Sequence, residues 1–103
     1  MSNNHFHPGY FVVTKGVNTL LDESLEFRLG MFKRLSEHAC GQWSELDNHD
    51  TQMNIEALET GARIFSAWTI AEHKIYIITD GREKDPLIAG DCTVTTILLP
   101  SEY

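Results

Sequence analysis

Five histidines and two cysteines are the residues of this chain best equipped for chemistry. His5-x-His7 lies near the start, His38-x-Cys40 in the middle and Cys92 near the end. A structural zinc site takes four nitrogen or sulfur ligands, usually as two close pairs. Neither C-x-x-C nor H-x-x-x-H occurs here. Uniting His5, His7, His38 and Cys40 requires the first residues to fold back onto the element that carries His38. The simpler reading is a solvated arm and a histidine near the negative end of a helix, so no metal and no cofactor is expected. Cys40 and Cys92 sit in no nucleophile turn, and Cys92 reads as a small core residue at the start of a strand. Gly81 and Gly90 lack the Lys-Ser/Thr ending of a phosphate loop. General acid–base work needs two carboxylates at a fixed separation in a cleft, which spacing alone does not establish. No catalytic residue is assigned.

The charge pattern says more. From Leu35 to Ala62 there are six acids (Glu37, Glu45, Asp47, Asp50, Glu56 and Glu59) and no lysine or arginine. Lys33 and Arg34 precede this stretch and Arg63 follows it. Glu45, Asp47 and Asp50 lie in or beside a loop that holds Trp43. Glu56 and Glu59, three apart, share one side of a helix. One reading makes Trp43, Glu45, Asp47, Asp50, Glu56 and Glu59 a docking face for a protein with a basic surface. Charge would then set the encounter rate, and the ring would serve as an anchor. The other reading is a solubilising face with Trp43 folded into the core.

Fifteen acids against eight bases give a net charge of −7 over 103 residues. That sign disfavours direct nucleic-acid binding, and it is thin beside duplex DNA as a basis for mimicry. An apolar fraction of 42 % supports one modest core. No run approaches the roughly 18 to 20 apolar residues of a membrane span. Polar Met1 to His5 lacks the apolar region of a secretory signal. The expectation is a cytoplasmic single domain over 1–103, with 1–8 as a flexible arm.

The elements that must position these residues follow from periodicity. Gly9 to Thr14 reads as a strand, and Thr14 caps a short helix through Val17, Leu20 and Leu21 to about Glu23. Ser24 caps a longer helix, on which Leu25, Leu29, Phe32, Leu35 and Ala39 form one stripe that should face the core. Gly30 breaks that helix's propensity and marks a close approach to a neighbour; Gly41 ends it in the left-handed conformation. A loop runs from Gln42 to His49. Asn48 or Asp50 caps a third helix bearing Met53, Ile55, Ala57 and Leu58, which Gly61 ends.

From Arg63 the period becomes two. Arg63 to Ile70 and Lys74 to Thr79 predict an antiparallel hairpin about Ala71-Glu72-His73. A polar loop spans 80–91, and Cys92 to Leu99 is a last strand stopped by Pro100. The fold class is α+β: an N-terminal strand and two to three helices packed on a mainly antiparallel sheet formed by a C-terminal three-strand meander. Phe32, Leu35, Ile64 or Phe65, Trp68, Ile77 and Val94 are the expected core.

Trp43, Leu46, Asp50, Asn54, Ala57-Leu58, Gly61, Ser66-Ala67 and Ile77-Ile78-Thr79 form a pattern that continues with Thr95 to Tyr103. From about Tyr10 onward this wording resembles a family of small bacterial "plasmid-related" proteins of plasmids and integrative elements. The 82–91 segment is longer than the connection associated with that family. The resemblance implies a mobile-element setting and brings no activity or site residue. The resulting expectation is a small acidic, non-enzymatic interaction protein that binds a host defence or DNA-processing protein. The alternatives are a small hydrolase or transferase with an unrecognised site, and a zinc-stabilised regulator.

Overall fold

The hairpin is where local sequence speaks most directly. In the computed structural model, which describes residues 5–43, 46–82 and 92–103, β2 (Ile64–Ile70) and β3 (His73–Asp80) pair antiparallel with Ile70 opposite His73. Only Ala71 and Glu72 lie between them, both at positive φ, as a two-residue turn matched to strand twist requires. β-branched and aromatic residues fill both strands. Ile64, Ser66, Trp68 and Ile70 alternate toward the interior and Phe65, Ala67 and Thr69 toward the opposite face.

Two further strands complete the sheet. β4 (Val94–Leu98) runs antiparallel to β3, with Ile97 opposite Ile77. β1 (Tyr10–Val13) runs parallel to β4, with Tyr10 opposite Val94. The order is β1-β4-β3-β2. This corrects the expected sheet: it is four-stranded and mixed, not confined to three C-terminal strands. A parallel partner needs a long crossover, and here the chain from Thr14 to Thr93 separates β1 from β4.

Three helices cover one face of that sheet: α1 (Lys15–Glu23), α2 (Leu25–Ala39) and α3 (Asn48–Thr60). Val17, Phe27, Met31 and Ala57 meet Ile64, Trp68, Ile75, Ile77 and Ile97 in the core. Ser24 caps α2 by accepting the Phe27 N–H, and Gly41 follows that helix at φ 76°. Asp47, rather than Asn48 or Asp50, caps α3 by accepting the Asp50 N–H at 2.8 Å. Gly61 ends α3 in the left-handed conformation.

Thr14 stands at the N-cap of α1 without its side chain bonding that helix. A distant carboxylate does so instead. Glu102 accepts from Thr14 Oγ1 at 2.5 Å, from Gly16 N–H at 2.9 Å and from Leu99 N–H at 3.0 Å. The chain's last turn is thereby tied to its first helix.

The largest correction concerns α2. Leu25, Leu29 and Phe32 are 62, 62 and 65 % exposed, and Leu35 is only half-buried. The helix carries a second inward-capable row, Phe27, Met31 and His38, and that row faces the sheet. Gly30 explains the choice: a Cβ there would come within 2.7 Å of Ile70 Cγ2, so α2 packs close on this side. Trp68, Ile64 and Ile77 are buried as expected, while Phe65 and Val94 are intermediate.

The arm is corrected as well for His5 to Pro8. Phe6 is fully buried, its ring T-shaped against that of His38 at 5.3 Å, and the Arg82 guanidinium lies over it at 5.6 Å. His5 N–H donates to Ala39 O at 2.7 Å. The buried Phe6 ring and the backbone hydrogen bonds of His5 and Pro8 hold a segment that is otherwise polar. The expected 80–91 loop lies mostly outside the described residues. No described helix is long and apolar enough to cross a membrane.

Candidate functional site

α3 is fixed by polar contacts in its middle, to the sheet edge, and at its C-terminal end. Asn54, nearly fully buried, donates from Nδ2 to Phe65 O at 2.6 Å and accepts Phe65 N–H at Oδ1 at 3.0 Å. Those two backbone groups point outward from β2, an edge strand. Arg82 closes the far end, donating to Ala57 O and, at 3.0 Å, to Ala62 O. Burial lowers the Arg82 pKa from its ordinary value.

The outer side of this anchored helix is acidic. Glu56 and Glu59 are exposed, and Asp47 and Asp50 occupy its cap and first turn. No lysine or arginine occurs between Asn48 and Thr60. Two shallow hollows open beside that first turn. One, of about 350 Å³, is lined by His49, Asp50, Met53, Arg63, Phe65 and Tyr103. The other, of about 320 Å³, is lined by Leu46, Asp47, Asp50, Phe65, Ala67, Lys74 and Tyr76. Asp50 and Phe65 belong to both. Along their floor Phe65, Tyr76 and Tyr103 stack edge-to-face, with centroids 5.0 and 5.9 Å apart. Such rings present flat apolar area with a polar tip at the tyrosines. Arg63 and Lys74 line these hollows together with the carboxylates, whereas Glu56 and Glu59 line neither.

Of the residues read from sequence as a docking face, the structure keeps four on one element and separates a fifth. Asp50, Glu56 and Glu59 lie on α3 and Asp47 caps it; Glu56 and Glu59 share the outer side, while Asp50 is on the side of buried Asn54 and Ala57. Trp43 is corrected: it is 6 % exposed, and its Nε1–H donates to His38 O at 3.0 Å. Its ring packs in the core and is no surface anchor. Glu45 lies outside the described residues. Sequence reading missed the aromatic floor. Its signal was the period-two alternation, which sets Phe65 and Ala67 opposite Ile78 and Tyr76 on the helix-free face.

The histidine and cysteine constellation resolves differently. His38 is buried, with Nδ1 2.6 Å from Ser66 Oγ and Nε2 2.9 Å from Thr79 Oγ1. The hydroxyl protons follow by elimination. Pro8 O can only accept, so Thr95 donates to it at 2.7 Å. Thr79 then donates to Thr95, and Thr79's oxygen accepts from His38 Nε2–H. Trp68 Nε1–H donates to Ser66 Oγ at 2.7 Å, leaving Ser66's proton for His38 Nδ1. The chain from Trp68 through Ser66, His38, Thr79 and Thr95 to Pro8 runs one way and holds the neutral Nε2–H tautomer.

Burial pushes the His38 pKa down to about 3. A Ser–His pair at 2.6 Å has the polarity of a nucleophile and base, but both residues are buried and neither lines either of the two hollows beside α3. The arm does fold back onto α2, as a zinc site would need, yet both imidazole nitrogens face hydroxyls. Among the described residues no group of three or more His, Cys, Asp or Glu is placed to hold a metal. Cys40 and Cys92 form no disulfide, and Cys92 is exposed rather than core. No family model, curated protein or solved structure matches this chain.

Proposed function

We propose that this chain is a non-enzymatic interaction module of a mobile genetic element, working in the cytoplasm and docking a protein partner with a basic surface. The observation that carries this reading is α3: an acidic outer face on a helix anchored by Asn54, Arg82 and Gly61. Glu56 and Glu59, side by side on a helix whose backbone is already held, steer a basic partner, and the hollows by the first turn of α3 take apolar or aromatic side chains. Residues that carry the resemblance to plasmid-related proteins support a framework role. Trp43, Asn54, Ser66, Thr79, Thr95 and Glu102 each make a hydrogen bond that ties separate segments together.

The test starts with the immobilised full chain and a bacterial lysate, followed by rate measurements on the purified partner. Association should slow as salt rises, because exposed charges are screened within about 8 to 10 Å at physiological ionic strength. Glu56→Lys with Glu59→Lys should slow it about tenfold, within the range of electrostatic steering, while the fold is nearly unchanged. An association rate indifferent to both salt and the double reversal overturns the reading.

A further inference from the structure

We infer that the outer face of α2 is a self-association surface, on which two copies of this chain pair with their α2 helices antiparallel about a twofold axis. Leu25, Leu29, Phe32 and Ser36 recur at steps of four, three and four, the seam spacing of paired helices. All four are exposed. Phe27, Met31 and His38 occupy the opposite side of the helix and are buried against the sheet. The seam therefore points straight away from the core, and within one copy nothing among the described residues covers it. Three large apolar side chains aligned on one helix face are a patch, not scattered exposure.

The charges beside the seam say what covers it. Glu26 and Lys33 lie along one flank; Arg28 and the half-buried Leu35 lie along the other. In an antiparallel pair with Leu29 against Phe32 of the second copy, Leu25 meets Ser36. The twofold axis then sets Glu26 of each copy opposite Lys33 of the other, twice over. On the far flank Arg28 meets Leu35 rather than a second Arg28. A parallel pair would instead set Arg28 against Lys33, like against like. The helix is complementary to itself in one orientation only. Glu26, Arg28 and Lys33 have no ion-pair partner within the chain among the described residues, so these charges are available.

Sedimentation velocity on the full chain, from low to high micromolar concentration, tests this. The expected result is a monomer–dimer equilibrium. Leu29→Glu should leave a monomer with unchanged helical circular dichroism. Glu26→Lys or Lys33→Glu, each turning two attractive pairs repulsive, should weaken dimerisation about tenfold. The charge swap carrying both changes should restore it. All three charge positions are exposed, so these variants read association even where Leu29→Glu fails to fold. A wild type that stays monomeric throughout overturns the inference, including one whose α2 face is then found to bind another protein. A dimer indifferent to Leu29→Glu that uses the β1 edge does so too, as does a charge swap that fails to recover pairing.

Discussion

The Asn54 side chain makes, with Phe65, the two hydrogen bonds that a neighbouring strand would otherwise make with β2. Its amide donates to the Phe65 carbonyl and accepts the Phe65 N–H, so α3 closes a sheet edge that could recruit another chain. Asn54→Ala strips both partners at once. Leaving a buried polar group unpaired costs about 1 to 3 kcal/mol, and denaturant unfolding should report a loss in that range. Asn54→Asp should cost at least as much, since a carboxylate oxygen would face the Phe65 carbonyl. Stability within about 0.5 kcal/mol of wild type, the usual span for surface changes, would mean that water replaces the amide and the edge is open.

Where the sequence was legible, the deciding forces act over a few residues. Ser24, Gly41 and Gly61 mark helix ends because capping and left-handed backbone are local needs. The β2–β3 hairpin shows itself because period-two runs meet at a short turn. α2 was legible as a helix but not in its orientation. It carries two apolar rows, and the choice between them rests on Ile70 and on Ser66 and Thr79, residues about 30 to 40 positions away, a separation at which periodicity is silent. The β1–β4 pairing and the burial of Phe6 are likewise products of distant contacts. At the candidate site the acids of α3 were legible as a charge run, whereas the aromatic floor required knowing which face of β2 and β3 the helices leave bare.

Trp68 on β2 and Phe32 on the outer face of α2 give opposite expectations for similar truncations. Trp68→Ala should cost about 3 to 5 kcal/mol, the range for removing a buried aromatic. It also strands Ser66 Oγ without its donor and removes the surface over which Arg34 lies at 5.1 Å. Phe32→Ala should cost less than about 1 kcal/mol in dilute solution, because its ring is mostly in water. Chemical denaturation of both variants checks the pair. Equal losses would place Phe32 in the core after all.

The hairpin turn stores strain that can be released. Ala71 and Glu72 adopt φ of 48° and 72°, a region that costs a non-glycine residue roughly 1 to 2 kcal/mol. Ala71 packs against the core, but Glu72 is exposed. Glu72→Gly should therefore raise stability, by about 1 kcal/mol once the greater freedom of glycine in the unfolded chain is subtracted. A lowered Tm would show that the glutamate side chain makes a contribution the turn geometry does not reveal.

Glu102 offers a test at the other end of the chain. The Thr14 hydroxyl, then the Gly16 and Leu99 N–H groups, hold its carboxyl below the usual carboxylate range. Stabilisation of this kind is complete above the ordinary carboxylate pKa and is lost as pH falls through the lowered folded value. Glu102→Gln should imitate that loss at neutral pH, because an amide offers one acceptor oxygen where three donors converge. Hydrogen exchange at Gly16 should accelerate while the Ile77 amide in the sheet keeps its protection. Unchanged exchange at Gly16 would show that the first turn of α1 is held by other contacts.

His38 gives the strongest pH signature. Its folded pKa is about 3 against an ordinary 6.5, so between those values the folded ring stays neutral while the unfolded ring takes up a proton. Stability is then complete above about 6.5 and falls as pH drops toward 3, by about 1.4 kcal/mol per pH unit within that window. The hydrogen-bond chain gives the atomic reason. A proton added at Nδ1 would point at Ser66 Oγ, which already accepts from Trp68 and whose own proton would lose its acceptor. Nitrogen NMR of the imidazole should show the Nε2–H tautomer with no titration from pH 7 to 5 in the folded protein. Thr79→Val should cost about 1 to 3 kcal/mol by leaving Nε2–H unpaired, without moving the tautomer, since Ser66 still donates to Nδ1. A ring that titrates near 6.5 while the protein remains folded would break the chain at its centre, and the pH dependence of stability would vanish with it.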